Sequence, residues 1–188
     1  RQEEINRLLV EYASQGLTVM RLKGGDPTIF GRVGEEAEAL AERGIEYEII
    51  PGVSSVHAVP AYAGIPITHR DHASSFCVLT GHEKPEKLAT SLNWEHLAHA
   101  ADTLIFLMGV GRLEIICEQL MKHGRSPATP VALIRWGTRP EQQTLVGTLA
   151  DIVAKVRESG FSSPAVIVVG DVVALRDKLS WFEKRPLL

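Results

Sequence analysis

The chain has 188 residues, 45% of them hydrophobic and 23% charged, with a net charge of −3. This is ordinary for a globular protein long enough to bury a sizeable core in one large domain or two small ones, and the acidic balance argues against bulk affinity for nucleic acid or anionic membranes. No apolar run reaches the ~20 residues that span a bilayer, and Cys77 and Cys117, each inside an apolar stretch, read as buried free thiols of a reducing, cytoplasmic compartment.

From Arg1 the sequence reads as the middle of an amphipathic helix running to about Ser14, so the natural protein is expected to begin earlier. Leu17–Leu22 is short, apolar and partly β-branched, the pattern of a buried strand. It leads into Lys23-Gly24-Gly25-Asp26-Pro27, where two glycines strip the turn of side chains and leave main-chain N–H and C=O groups open to a ligand. Loops at the carboxyl ends of strands are where open α/β sheets bind small molecules. A plain turn, with Asp26 merely capping the next helix, explains the segment equally well. A helix at Gly34–Arg43, a strand at Glu46–Ile50 and a helix at about Ser54–Tyr62 follow. That alternation predicts βαβ units and a parallel sheet. The turn formers of Gly64–Asp71 suggest a junction, giving an N-terminal lobe of residues 1–71 and a C-terminal lobe of residues 72–188.

The second lobe begins with a strand at Phe76–Thr80, part of a helix at Trp94–Ala98 and a strand at Thr103–Met108. Arg112–His123 reads as a helix, closed by Gly124 and the Pro127/Pro130 loop. Strands are expected at Val131–Arg135 and Gln143–Gly147, the latter pairing antiparallel to a neighbour. A helix at Leu149–Glu158, a last buried strand at Ala165–Val169 and a short final element complete the series. The fold class is therefore α/β: two lobes, the first with a parallel sheet and the second with a mixed one.

Side-chain chemistry narrows the field. His69-x-x-His72 and His96-x-x-His99 have spacings a metal tolerates, yet no cysteine or carboxylate cluster completes either, so no metal site is expected. Ser54-Ser55 lies outside any nucleophile-elbow motif. His82 stands at a strand end, within reach of a ligand. Tyr47, Tyr62, Trp94 and Trp136 form no stacking pattern for nucleic acid.

Several segments together resemble one family. Leu22-Lys23-Gly24-Gly25-Asp26-Pro27-Thr28-Ile29-Phe30-Gly31-Arg32 is similar to the signature of the tetrapyrrole methylases, and within them most to the uroporphyrinogen-III C-methyltransferases. Ile50-Pro51-Gly52-Val53-Ser54-Ser55, Ala63–Asp71, Leu79-Thr80-Gly81-His82, Met108-Gly109-Val110 and Gly137-Thr138 agree in order and spacing. The resemblance implies a homodimer of two-lobed α/β subunits. Each would hold S-adenosylmethionine (SAM) in the cleft between lobes and methylate C2 and C7 of uroporphyrinogen III to give precorrin-2, on the route to sirohaem or cobalamin. S-adenosylhomocysteine would be the second product. Carried over, the SAM contacts are Gly24, Gly25, Asp26, Ile29, Ser54, Ser55, Met108 and Gly137, though Met108 by itself suits ordinary core filling. Family members carry an earlier strand, a glycine- and proline-containing loop, and an aspartate and lysine proposed as acid–base groups. No position here corresponds to them, so the catalytic residues are unknown. A methylase acting on a later precorrin, or a fragment that folds and dimerises without activity, are the alternatives. The eight carboxylates of uroporphyrinogen III call for a basic lining, and arginine binds carboxylates with a planar fork. Arg32 and Arg70, which flank the motifs, are the leading candidates; Arg21, Lys23, Arg112, Arg135 and Arg139 suit solvated surface as well.

Overall fold

The computed structural model describes residues 1–81 and 92–183 of the chain, so His82 lies outside the described residues. The chain divides into two compact units, residues 1–54 and 55–188. The turn-rich stretch Gly64–Asp71 falls within the second.

In the first unit, helices α1 (Gln2–Ala13) and α2 (Val33–Ala41) pack together, with Leu9 and Ala37 buried. Both occupy the stretches expected to be helical. The two strands expected here do not form: Leu17–Leu22 and Glu46–Ile50 join no ladder, and the parallel sheet predicted for this part is absent among its residues. Their apolar residues supply strand propensity, but a ladder also needs a neighbour about 4.8 Å away to receive its N–H and C=O groups. Neither segment pairs with one among the described residues, and Met20, Leu22 and Ile50 stand largely exposed.

The second unit is built on one five-stranded mixed sheet in the order β1-β2-β5-β3-β4. The strands are β1 (Phe76–Thr80), β2 (Thr103–Leu107), β3 (Pro130–Arg135), β4 (Gln143–Thr148) and β5 (Ala165–Val169), close to the expected spans. β1 runs parallel to β2, whereas β5 is antiparallel to both β2 and β3, and β4 is antiparallel to β3 as expected. In register, Ile167 pairs with Phe106 on one side and Leu133 on the other.

The apolar runs of the central strands are continuous because both faces of the sheet are covered. Leu104, Phe106, Leu133, Ile167 and Val169 point to one face, under helices α4 (Trp94–Ala100), α5 (Leu113–Lys122) and α6 (Ile152–Ser159). Ile105, Ala132, Ile134, Val166 and Val168 point to the other, against α3 (Ser55–Tyr62) and the C-terminal segment around Val172 and Val173. Each fully buried Leu, Ile or Phe contributes roughly 1.5–3 kcal/mol by leaving water, so this double-sided core holds the sheet together. After β5 come a 3-10 turn (Asp171–Leu175) and a short helix, α7 (Arg176–Leu179). No helix among the described residues is long and apolar enough to cross a membrane.

Candidate active-site loops and family membership

Two sets of loops carry the expected site residues, one in each unit. In the first unit, the Asp26 carboxylate ties the glycine turn to the Pro51-Gly52-Val53 loop. One oxygen accepts from the Thr28 N–H (2.8 Å) and hydroxyl (2.5 Å); the other accepts from the Gly52 N–H at 3.1 Å. The Thr28 hydroxyl first, then the N–H groups of Gly52 and Thr28, hold the Asp26 carboxyl below the usual carboxylate range. The two backbones meet so closely that a Cβ on Gly52 would run into the Gly25 carbonyl, and Gly25 itself takes a left-handed φ of +77°. Gly24 is exposed, as is Ile29, while Pro27 is buried. Ser54, at the end of the same loop, is buried; Ser55 opens α3 and is exposed.

The charges around this turn are arranged differently from the expected basic lining. Lys23 gives its ammonium to Glu36 on α2 (2.8 Å), and Arg21 adds a second contact at 3.2 Å. Gln2 donates to the same carboxylate at 3.1 Å. The Glu36 side chain is only 4% exposed. Burial opposes its ionisation, but the hydrogen bonds from Lys23 and Gln2 and the charges of Lys23 and Arg21 hold its carboxyl below the usual range. Lys23 and Arg21 are thus counter-ions of a buried acid. Arg32, at φ +60°, makes a bidentate pair with Glu35, both half-exposed.

In the second unit, the antiparallel β5 between β2 and β3 leaves β1, β2 and β3 pointing the same way. Their carboxyl ends, Thr80-Gly81, Met108-Gly109 and Trp136-Gly137-Thr138, therefore lie along one edge of the sheet. Gly81 N–H donates to the Leu107 carbonyl at 2.7 Å, locking the first two turns together. Three non-glycine residues at this edge have left-handed backbones: Met108 (φ 56°), Trp136 (φ 49°) and Thr138 (φ 70°). Such conformations are costly for residues with a Cβ and cluster at binding sites. Met108 is 56% exposed, which excludes core filling. Gly137 backs onto α3, where a Cβ would stand 2.5 Å from both methyls of Val59. The Arg135 guanidinium lies 3.8 Å over the Trp136 ring.

Arg70 is exposed in a tight turn closed by His69 N–H to Ala73 C=O and the reverse bond, which ends shortly before β1 begins at Phe76 and is not at a carboxyl strand end. The His69 and His72 rings are 4.9 Å apart, and no group of three metal-ligating side chains occurs among the described residues. Sequence reasoning gave Glu36, Trp136 and Gln142 no part in these loops, and it quoted Thr138 only within the Gly137-Thr138 motif. Glu36 was findable, since it sits four residues before the half-buried Leu40, on the face of α2 that turns inward.

The family model described as Tetrapyrrole (Corrin/Porphyrin) Methylases matches residues 1–153. A Uroporphyrinogen-III C-methyltransferase of Bacillus subtilis (strain 168) is 55% identical over the whole chain, which spans 39% of that relative's length. An S-adenosyl-L-methionine-dependent uroporphyrinogen III methyltransferase of Methanosarcina barkeri is 53% identical over 95% of the chain and 70% of its own. The crystal structure of a Uroporphyrin-III C-methyl transferase from Thermus thermophilus, complexed with S-adenyl homocysteine, superposes with a TM-score of 0.79. It is 34% identical over 93% of this chain and 75% of that one. The chain belongs to the tetrapyrrole (corrin/porphyrin) methylases.

Proposed function

We propose that the protein of which this chain is part is a SAM-dependent C-methyltransferase that converts uroporphyrinogen III to precorrin-2 for sirohaem or cobalamin synthesis. The observation that carries the reading is the pair of glycine-containing loops held together by Asp26, where a Cβ on Gly52 would meet the Gly25 carbonyl. Bare backbone of this kind suits a ligand that is read by hydrogen bonds to N–H and C=O groups rather than by a charged side chain. When bound, SAM supplies a sulfonium-activated methyl group to an electron-rich pyrrole carbon.

The chain's own residues then have positioning to do, and orientation alone recovers on the order of 7–11 kcal/mol of such a barrier. Gly24 and Gly25 present main chain; Asp26 keeps that turn in shape while its carboxylate faces Thr28 and Gly52; Ile29 and Ser54 complete this loop set. In the second unit, Ser55, the exposed thioether of Met108 and the backbone of Gly137 are the corresponding contacts, Met108 offering a polarisable apolar surface. Arg32 and Arg70 are assigned to substrate carboxylates, Arg32 after exchanging Glu35 for the ligand. A homodimer and a cytoplasmic setting belong to the same reading, the free thiols Cys77 and Cys117 supporting a reducing compartment.

Calorimetric titration of the 188-residue chain with S-adenosylhomocysteine tests the site. Micromolar binding at one site per chain is expected; a folded chain that does not bind refutes these loops as a sufficient cofactor site. Methyl transfer to uroporphyrinogen III but not to a later precorrin identifies the substrate, and sedimentation velocity tests the dimer.

A further inference from the structure

The strained turn at the end of β3 is held by a side-chain relay that begins at Gln142. The Thr138 N–H donates to the Gln142 Oε1 at 2.8 Å. The Gln142 Nε2 donates to one Glu183 oxygen at 2.9 Å, and the Thr144 hydroxyl donates to the same oxygen at 2.5 Å. Arg176 pairs with the other Glu183 oxygen and gives a second N–H to the Ala63 carbonyl at 2.5 Å. Gln142 is only 7% exposed, so this amide has no solvent to replace a lost partner. Its orientation is also dictated: Nε2 must face the acceptor-only carboxylate, which turns Oε1 toward Thr138. The backbone completes the turn, with Arg139 N–H on the Trp136 carbonyl (3.1 Å) and Gln142 N–H on the Arg139 carbonyl (2.9 Å).

Trp136 and Thr138, on either side of Gly137, both take left-handed conformations that residues with a Cβ avoid unless the surroundings impose them. We infer that Gln142, oriented by Glu183, is a positioning residue that holds the Trp136-Gly137-Thr138 turn in its binding conformation. The inference rests on the proposed cofactor site for its functional consequence, but not for the holding of the turn. Gln142 touches no reacting atom; it acts through the Thr138 amide. Glu183 must stay ionised for this. Burial opposes that, while the bonds from Gln142, Thr144 and Arg176 outweigh it and keep its carboxyl below the usual range.

The test measures amide exchange at Thr138 and affinity for S-adenosylhomocysteine in the 188-residue chain and its variants. In Gln142→Ala the Thr138 amide should exchange about tenfold faster, as for one lost hydrogen bond. The affinity should weaken by a similar factor. Gln142→Glu should fail in the same way, because it opposes two carboxylates. Adding Glu183→Gln to Gln142→Glu swaps amide and acid and should restore both readouts to within about threefold; simple loss of packing would not be rescued by that swap. If Gln142→Ala does not fold, Gln142→Glu with and without Glu183→Gln carries the comparison. Unchanged Thr138 exchange in Gln142→Ala, or no recovery in the double variant, overturns the inference. Altered exchange with unaltered affinity overturns its link to the ligand. A parent chain that binds no S-adenosylhomocysteine refutes the proposed cofactor site instead, and Thr138 exchange then judges the relay by itself.

Discussion

Gly137→Ala puts a methyl group where the structure has no room for one. The new Cβ would stand 2.5 Å from both Val59 methyls and 2.8 Å from the Val59 Cβ. Carbon contacts settle at about 3.5–4.0 Å, so the overlap is about 1 Å with each methyl. Val59 cannot clear it by rotation: a β-branched side chain has three staggered positions, and each keeps at least one methyl toward Gly137. Val59 is also buried on α3 against the sheet, so the helix or the turn has to shift. Overpacking of this kind costs about 1–3 kcal/mol, which for a chain of this size lowers the melting midpoint by roughly 2–12 °C. The three tryptophans, Trp94, Trp136 and Trp181, all lie within residues 55–188, so urea unfolding followed by fluorescence reports on the affected unit. Val59→Ala alone should cost about 1.6 kcal/mol for the two carbons removed, at about 0.8 kcal/mol each. The double variant should recover about 1 kcal/mol or more relative to the sum of the singles, because each change makes space for the other. Additivity within about 0.5 kcal/mol would show that Gly137 and Val59 are not in contact and would refute the argument.

Glu36→Ala should destabilise the first unit by about 3 kcal/mol, since it leaves Lys23 and Arg21 without their counter-charge; faster amide exchange across α1 and α2 is the readout. The folded Asp26 has a lower pKa than the unfolded one, so its ionised form favours the tied loops above the ordinary carboxylate range. That contribution falls away as the pH drops from the ordinary carboxylate range through the depressed value, so protection of the Gly52 amide should persist at the pH where a free aspartate is half protonated and be lost only below it. Asn at position 26 should abolish this pH dependence. Burial pushes the Cys117 thiol up to about 12, so a thiol reagent at pH 8 should modify half-buried Cys77 first and reach Cys117 only on unfolding.

Much of the second unit was legible in the sequence because its three central strands, β2, β3 and β5, are short apolar runs that find both faces covered. β1 at Phe76–Thr80 and β5 at Ala165–Val169 match their expected spans residue for residue, and the antiparallel pairing of β4 agrees as well. The same reasoning placed strands at Leu17–Leu22 and Glu46–Ile50, where the residues have the right propensity and no ladder forms. Propensity is a property of a segment, whereas a strand is a property of a pair.

What the sequence determined by itself was the class, the helices and the family, since periodicity, turn formers and ordered motifs are local and survive without coordinates. The glycines of the Lys23–Pro27 and Gly137 turns announced bare backbone in the same way. Tertiary structure alone decided which charges are spent. Lys23 and Arg21 meet Glu36, Asp26 reaches Gly52 across 26 positions, and Gln142 reaches Glu183 across 41. It also turned Met108 outward and forced Trp136 and Thr138 into left-handed backbone. Hydrogen bonds and ion pairs act over a few ångströms, so their partners are set by how the chain returns on itself and not by spacing along it.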